Sequence, residues 1–324
     1  MDNMKRFKIW GLALLSLAMA GCQNAGGSGS SGSPNAAGAA GGKPLITIRD
    51  FADRTIVFSK VPENIVALSN GDMDIVYALG GKLVGRPTSA GPLPVPEAAE
   101  VEQIGSTHQV DLEKITLVKP DVVLGNVSLN AKDVPAIEGL GAQMVLTEAN
   151  SVDDIKKQIA LFGDMLQKQE QAKKLIADID AKLNEAKAQA PDPKPRVLLV
   201  YGTPGTNMAA LPNSLGGNLL ELAGGVNIAA DFPGLQSFPQ YAQLNVERIM
   251  QANPQYILIM THGDPEAVRA SFVKEMEKNA AWNDLDAVRK GRVDVLPSDL
   301  FGTNPGTRVT EAIDRLQGIF RAVK

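Results

Sequence analysis

The stretch Asp111-Leu-Glu-Lys-Ile-Thr-Leu-Val-Lys-Pro-Asp-Val-Val-Leu124 returns later in the chain as Asn245-Val-Glu-Arg-Ile-Met-Gln-Ala-Asn-Pro-Gln-Tyr-Ile-Leu258. In both copies a glutamate (Glu113, Glu247) is followed by a base and then an isoleucine, and a proline (Pro120, Pro254) stands seven residues after the glutamate. A short helix, a turn marked by proline and a buried strand account for this order, because proline cannot continue a helix and an apolar run after it suits a strand covered on both faces. A core has no use for the matched glutamate. Its recurrence predicts one exposed carboxylate on an equivalent helix in each half of the chain.

On either side of the two copies, short β-rich runs alternate with helical patterns. Ile65-Val-Ala-Leu68 precedes a helix over 72–79 and the strand Lys82-Leu-Val84. A helix over 134–140 precedes Gln143-Met-Val-Leu146. After the midpoint, strands over 196–201, 256–260 and 292–296 alternate with helices over 215–223, 265–278 and 306–320. Such alternation predicts an α/β protein with a parallel sheet and flanking helices in each lobe.

Residues 151–190 separate the two halves. Ser151 with Asp154 three residues on resembles a capping arrangement. Apolar residues then recur at helical spacing, from Val152, Ile155, Ile159, Phe162 and Leu166 to Ala172, Leu175, Ile176, Ile179 and Leu183. One helix of that length would be ~60 Å long, more than a lobe needs. The spacing predicts two helices broken near 167–170, the second crossing between lobes and ending at Pro191, Pro193 and Pro195. The expected division is a first lobe over 44–150, linking helices over 151–194 and a second lobe over 195–324.

Residues 1–21 read as a secretory signal. Lys5, Arg6 and Lys8 form a basic start, and residues 9–20 are uncharged and mostly apolar. That run is too short for the ~20 residues a membrane span requires. It ends in Leu17-Ala-Met-Ala-Gly-Cys22, which resembles a bacterial lipoprotein signal, with Met19 a less usual residue three places before the cysteine. Cys22 is the only cysteine in the chain and cannot form an internal disulfide. It is the expected site of lipidation by palmitate-type acyl chains. Residues 23–42 hold seven Gly, four Ser and no charge, so they form a flexible tether over 22–43 with a reach of roughly 25 Å. The expected location is the outer side of a cell membrane, held there by the lipid. No other segment is long and apolar enough to span a bilayer.

The formal charge of −4 becomes −6 once Asp2, Lys5, Arg6 and Lys8 leave with the signal. An acidic exported body without a basic cluster argues against nucleic-acid binding. The motifs H-E-x-x-H, G-x-x-x-x-G-K-[ST] and G-x-S-x-G are absent, so the residues point to a binding protein rather than an enzyme. The chain has two histidines, His108 in the first half and His262 in the second, the latter at the end of the strand Tyr256-Ile-Leu-Ile-Met260. Imidazole is a common ligand of iron and other transition metals, and one imidazole per lobe suits a ligand held between lobes. Zinc or manganese sites usually gather three or more His and carboxylate ligands, which favours neither ion here.

The lipoprotein signal, the Gly-rich tether, the paired motif and the lobe-joining helix together resemble the substrate-binding lipoproteins of ABC importers for iron–siderophore complexes, haem or cobalamin. The resemblance covers roughly residues 44–324. It implies two Rossmann-like lobes joined by a long rigid helix (the class III periplasmic-binding-protein fold), with ligand in the cleft between them. It also implies that Glu113 and Glu247 dock onto arginines of a membrane permease, and through it serve an ATPase.

Within that class, Val84-Gly-Arg-Pro-Thr-Ser89, Ile104-Gly105, Tyr201-Gly-Thr-Pro-Gly205, residues 217–225 and His262-Gly-Asp-Pro-Glu-Ala-Val268 are similar to haem-binding lipoproteins of the iron-regulated surface determinant type. That likeness implies haem b as the transported ligand, iron acquisition as the purpose and a possible upstream haem-donor protein. His262 stands at the family's histidine ligand. His108 stands where the family has a methionine, so the sequence departs from the pattern and suggests bis-histidine ligation, with a lower reduction potential than a Met/His pair. Met208 or Met260 could replace His108, though the alternation of its strand turns Met260 toward the core. Tyr201 and Tyr241 are further candidates, since tyrosinate also binds haem iron. Porphyrin carboxylates need donors, for which Ser69, Asn70 and Gly71 before a helix, and Arg86, Thr88 and Ser89, are the expected groups. The runner-up function is a ferric-siderophore or cobalamin carrier with no histidine–iron bond.

Overall fold

The computed structural model describes residues 46–88, 93–203, 205–261 and 264–322. It opens with an antiparallel hairpin that the sequence reading had not assigned, β1 (Ile46–Arg49) and β2 (Thr55–Phe58). Strict alternation buries Ile46, Ile48, Ile56 and Phe58 and leaves the residues between them to solvent. There follow β3 (Ile65–Ala67), α1 (Asn70–Ala78), β4 (Leu83–Arg86), β5 (Glu102–Gln103), α2 (Leu112–Val118), β6 (Val122–Asn126), α3 (Val127–Asn130), α4 (Val134–Gly139) and β7 (Gln143–Thr147). Strands β3 to β7 form one parallel sheet in the order β5-β4-β3-β6-β7. Its centre is apolar on both faces, with Ile65, Val66, Val122, Val123 and Leu124 all buried, as a sheet sandwiched between helices requires.

Two helices then leave the first half, α5 (Val152–Met165) and α6 (Gln169–Ala188), broken at 166–168 as the spacing predicts. Ser151 Oγ accepts a hydrogen bond from the Asp154 amide at 3.1 Å and donates to Asp154 Oδ2 at 2.9 Å, which is the capping arrangement read from the sequence. The 20-residue α6 extends about 30 Å. Near its start Gln171 donates to the carbonyl of Ala78 at the end of α1. Near its end the Ala186 carbonyl accepts from Gln317.

The second half contains β8 (Arg196–Thr203), β9 (Thr206–Ala210), α7 (Leu215–Leu222), β10 (Val226–Asn227), β11 (Tyr241–Gln243), α8 (Val246–Ala252), β12 (Tyr256–Met260), α9 (Pro265–Glu277), α10 (Asp286–Arg289), β13 (Val293–Val295), α11 (Ser298–Phe301) and α12 (Val309–Arg321). Its sheet runs β11-β9-β8-β12-β13, with β10 alongside the start of β8. Strands β8, β12 and β13 are parallel, but β9 runs antiparallel between β8 and β11, which departs from the expected parallel sheet. The cause is local. Thr203 pairs with Thr206, so β9 follows β8 too closely in sequence for any pairing but an antiparallel one.

The repeated motif is a repeated structure. Asp111 and Asn245 cap their helices, each accepting at 3.0 Å from the amide three residues on. Lys119 (φ 48°) and Asn253 (φ 42°) end them in the left-handed conformation, one residue before the proline. Ile115 and Ile249 are fully buried, while Glu113 and Glu247 are exposed. The strands that follow, β6 and β12, both lie inside their sheets.

The core joins the two halves. One apolar cluster runs from Ile65 and Leu124 of the first sheet through Ile155, Phe162 and Ile179 of α5 and α6 to Leu199, Leu258 and Phe320 of the second half. Each sheet also has a separate outer cluster, around Val123 and Met144 in the first half and around Ile257 and Trp282 in the second. Polar ties reinforce the junction. Buried Gln158 on α5 donates to Asp72 of α1 and accepts from Asn304 Nδ2 at 3.0 Å. Asp74 accepts from the amide and hydroxyl of Thr307 at 2.6 and 2.7 Å. Gly306 (φ 63°) lies against Asp74 so closely that a β-carbon would run into the carboxylate. No helix among the described residues is long and apolar enough to cross a membrane.

Candidate functional site

Two adjoining cavities, of about 330 and 540 Å³, open between the carboxyl ends of the parallel strands of the two sheets. These volumes fall in the range of small-molecule sites, and crevices at strand carboxyl ends are where open α/β sheets take ligands. From the first half come Ser69 and Asp72 after β3, Asn126 at the end of β6 with Leu129 just after it, and Thr147, Glu148 and Ala149 at the end of β7. From the second half come Tyr201 and Thr203 of β8, Thr206 and Met208 of β9, Tyr241 of β11, Met260 of β12, Phe238, and the segment from Leu300 to Asn304.

His108 lines the larger cavity from the first half and is exposed. It sits in a tight loop closed by a bridge between Gly105 and Val110, with reciprocal backbone hydrogen bonds between Ser106 and Gln109 of 2.8 and 3.2 Å. Gly105 (φ 94°) is required there, since a β-carbon would run into the Gln109 carbonyl oxygen. Buried Asn130 anchors the loop by donating to the Thr107 carbonyl at 3.0 Å. His262 and Ser89 lie outside the described residues, as does Cys22. The described chain approaches His262 from buried Thr261 and resumes at Asp264, whose side chain caps α9 by accepting from Glu266 and Ala267.

Strand register aligns Met208, Tyr201 and Met260 across β9, β8 and β12. Met208 faces the larger cavity, whereas Met260 is 3% exposed, belongs to the shared core and borders the smaller cavity. The rings of Tyr201 and Tyr241 pack 5.2 Å apart at 41° and line both cavities. Burial, and for Tyr241 the neighbouring Tyr201, pushes both phenols up, Tyr241 to about 12, so both are protonated at neutral pH.

The carboxylate-donor residues read from the sequence are not all at the cleft. Ser69 lines it, but its hydroxyl is engaged with Asp72 at 2.6 Å as the cap of α1. Gly71 packs against Asn304, and the Asn70 side-chain oxygen is buried without a partner. Arg86 is 7% exposed and donates to the carbonyls of Pro87 and Ala99 instead of reaching either cavity. Thr88 borders a different depression, behind the His108 loop. Sequence reasoning passed over Leu129, Phe238, Glu148, Thr203, Thr206 and Asn304. They stand at strand ends and in loops with no motif to mark them. Asp72 was read only as part of a helix. Burial pushes its carboxyl up to about 6, against the opposing effect of hydrogen bonds from Ser69, Thr147 and Gln158. Among the described residues no group of three His, Cys, Asp or Glu is placed to hold a bare metal ion.

The periplasmic binding protein family model matches residues 65–300, which covers both sheets and the helices that join them. The chain belongs to the periplasmic binding protein family. Its members in this comparison are substrate-binding transport proteins. This family member is 30% identical over 241 residues to the high-affinity heme uptake system protein IsdE of Staphylococcus aureus, a span of 74% of this chain and 80% of the relative. Among solved structures, an ABC transporter substrate-binding protein from Listeria monocytogenes superposes with a TM-score of 0.70 at 31% identity, covering 81% of this chain and all of that one. S. aureus IsdE complexed with heme superposes with a TM-score of 0.69 at 28% identity, covering 79% and 98%. The fold is therefore the class III arrangement of two lobes joined by a helix, as the sequence resemblance implied.

Proposed function

We propose that this binding protein is the lipid-anchored receptor of an ABC importer, that it captures haem b between its lobes, and that His108 and His262 are the axial ligands of the iron. It carries haem and does not transform it. The observation that carries the reading is His108 itself: an exposed imidazole on a glycine-dependent loop, lining a cavity that Met208, Tyr201 and Tyr241 line from the second half. In this reading the lobes span 44–150 and 195–324, Cys22 bears the lipid, and Glu113 and Glu247 meet the permease that, with its ATPase, moves haem inward. Exposed Leu112 and Leu117 flank Glu113 on α2 and suit such a contact. An upstream donor protein supplies the haem.

The test is the absorption spectrum of purified protein with haem. We expect a six-coordinate Soret band that shifts or fades in both His108→Ala and His262→Ala. A spectrum unchanged in both variants rules out the ligand assignment, and a colourless wild type that takes up a ferric siderophore instead replaces haem as the cargo. Loss in His262→Ala alone points to Met208 or a tyrosine as the partner ligand.

A further inference from the structure

We propose that Leu129 and Phe238, one from each half of the molecule, are apolar jaws that grip the faces of the porphyrin ring and set the affinity for the ring independently of its iron. The inference rests on the haem reading above. Large apolar side chains are seldom left in water without a reason when they converge on one cleft. Leu129 is 37% and Phe238 57% exposed, and each lines both cavities. The other exposed large apolar residues, such as Val57, Leu117 and Leu140, line neither.

Both jaws are held in place before ligand arrives. Leu129 sits on α3, where Asn126 Oδ1 accepts from the amides of Ser128 and Leu129 at 2.9 and 3.1 Å. Phe238 sits in a closed turn: its amide donates to the Leu235 carbonyl at 3.2 Å, its carbonyl accepts from Tyr241 at 2.9 Å, and Leu235 donates to Tyr241 at 2.8 Å. Fixing the backbone that carries each side chain in this way lowers part of the ordering cost of binding.

Charge offers the ring little. The charged residues lining the two cavities are Asp72 and Glu148, both acidic, and no Lys or Arg joins them. The undescribed residues between 46 and 322 contain no Lys or Arg either. Among the described residues, porphyrin carboxylates thus have hydroxyls and amides such as Thr203, Thr206 and Asn304 to meet, and no cation. Attraction for the macrocycle has to come from its faces.

The experiment titrates the full chain with haem and with iron-free protoporphyrin IX, which removes axial ligation. Wild type is expected to bind both. Phe238→Ser and Leu129→Ser should each weaken protoporphyrin binding about 10-fold, the size of effect expected for losing burial of one such side chain. The double variant should lose more, Phe238→Tyr should retain binding, and the Soret position with haem should not move, because the iron ligands are untouched. Unaltered protoporphyrin affinity in the double variant overturns the proposal, as does a wild type that binds haem but no iron-free ring. A wild type that binds neither overturns the haem reading, and the jaws with it.

Discussion

A carboxyl group sealed from water by Ser69, Thr147 and Gln158 has a price that depends on pH. Asp72 is pushed up to about 6 by burial, so the folded chain holds its proton more tightly than the unfolded chain does. The associated stability is fully present below about pH 4 and is lost as pH rises through 6. Above that the penalty is about 3 kcal/mol from this residue. Asp72→Asn keeps an oxygen for Thr147 and Gln158 and removes the charge. Its thermal unfolding midpoint should therefore change less between pH 4 and 7 than that of wild type, with the gain over wild type largest at pH 7. Equal pH dependence of the two proteins would mean that Asp72 does not titrate in this range. None of this was legible in the sequence, where Asp72 is one polar residue in a helix pattern. The environment that changes it comes from its own helix cap and from two distant segments, at Thr147 and Gln158. His108 was legible for the opposite reason: scarcity and a position in one of two matched halves drew attention to it without any knowledge of its neighbours.

At the scale of elements, α2 and α8 are the clearest case of a pattern that survives folding. Their capping residues, left-handed ends and buried isoleucines correspond one to one. The exposed glutamates near their starts also sit favourably at the positive ends of the helix dipoles, so a structural role competes with docking. Charge reversal separates the two. Glu113→Lys with Glu247→Lys should leave haem affinity unchanged while cutting haem transfer into permease-bearing vesicles at least 10-fold, if each lobe contributes a charged contact of the size seen at protein interfaces. Transfer at the wild-type rate would leave these glutamates as first-turn partners of the helix dipole only. The α5–α6 break was readable because amphipathic periodicity over so many residues leaves few alternatives. Strands β9 and β11 were not. Thr206-Asn-Met-Ala-Ala210 and Tyr241-Ala-Gln243 are short and rich in small or polar residues, and only pairing of β9 with β8 and of β11 with β9 makes them strands. Phe238 escaped for a related reason, since a single aromatic in a Pro-bordered loop carries no period.

For the whole molecule, the decisive feature is that the inner face of each sheet contributes to the same apolar cluster. Opening the halves far apart would expose that cluster and break the ties from Gln158 to Asn304 and from Asp74 to Thr307. Small-angle scattering of the chain with and without haem should give radii of gyration that agree to within about 1 Å, as expected for lobes that share a core rather than swing on a flexible linker. A larger contraction on loading would show that the shared core yields. A near-fixed shape has a further implication for signalling. If the proposed function and the fixed shape both hold, a permease meeting such a receptor could not tell full from empty by its outline. It would have to sense the mouth of the cleft itself, where the rim of the cargo would either fill the gap beside Phe238 and the His108 loop or leave it open.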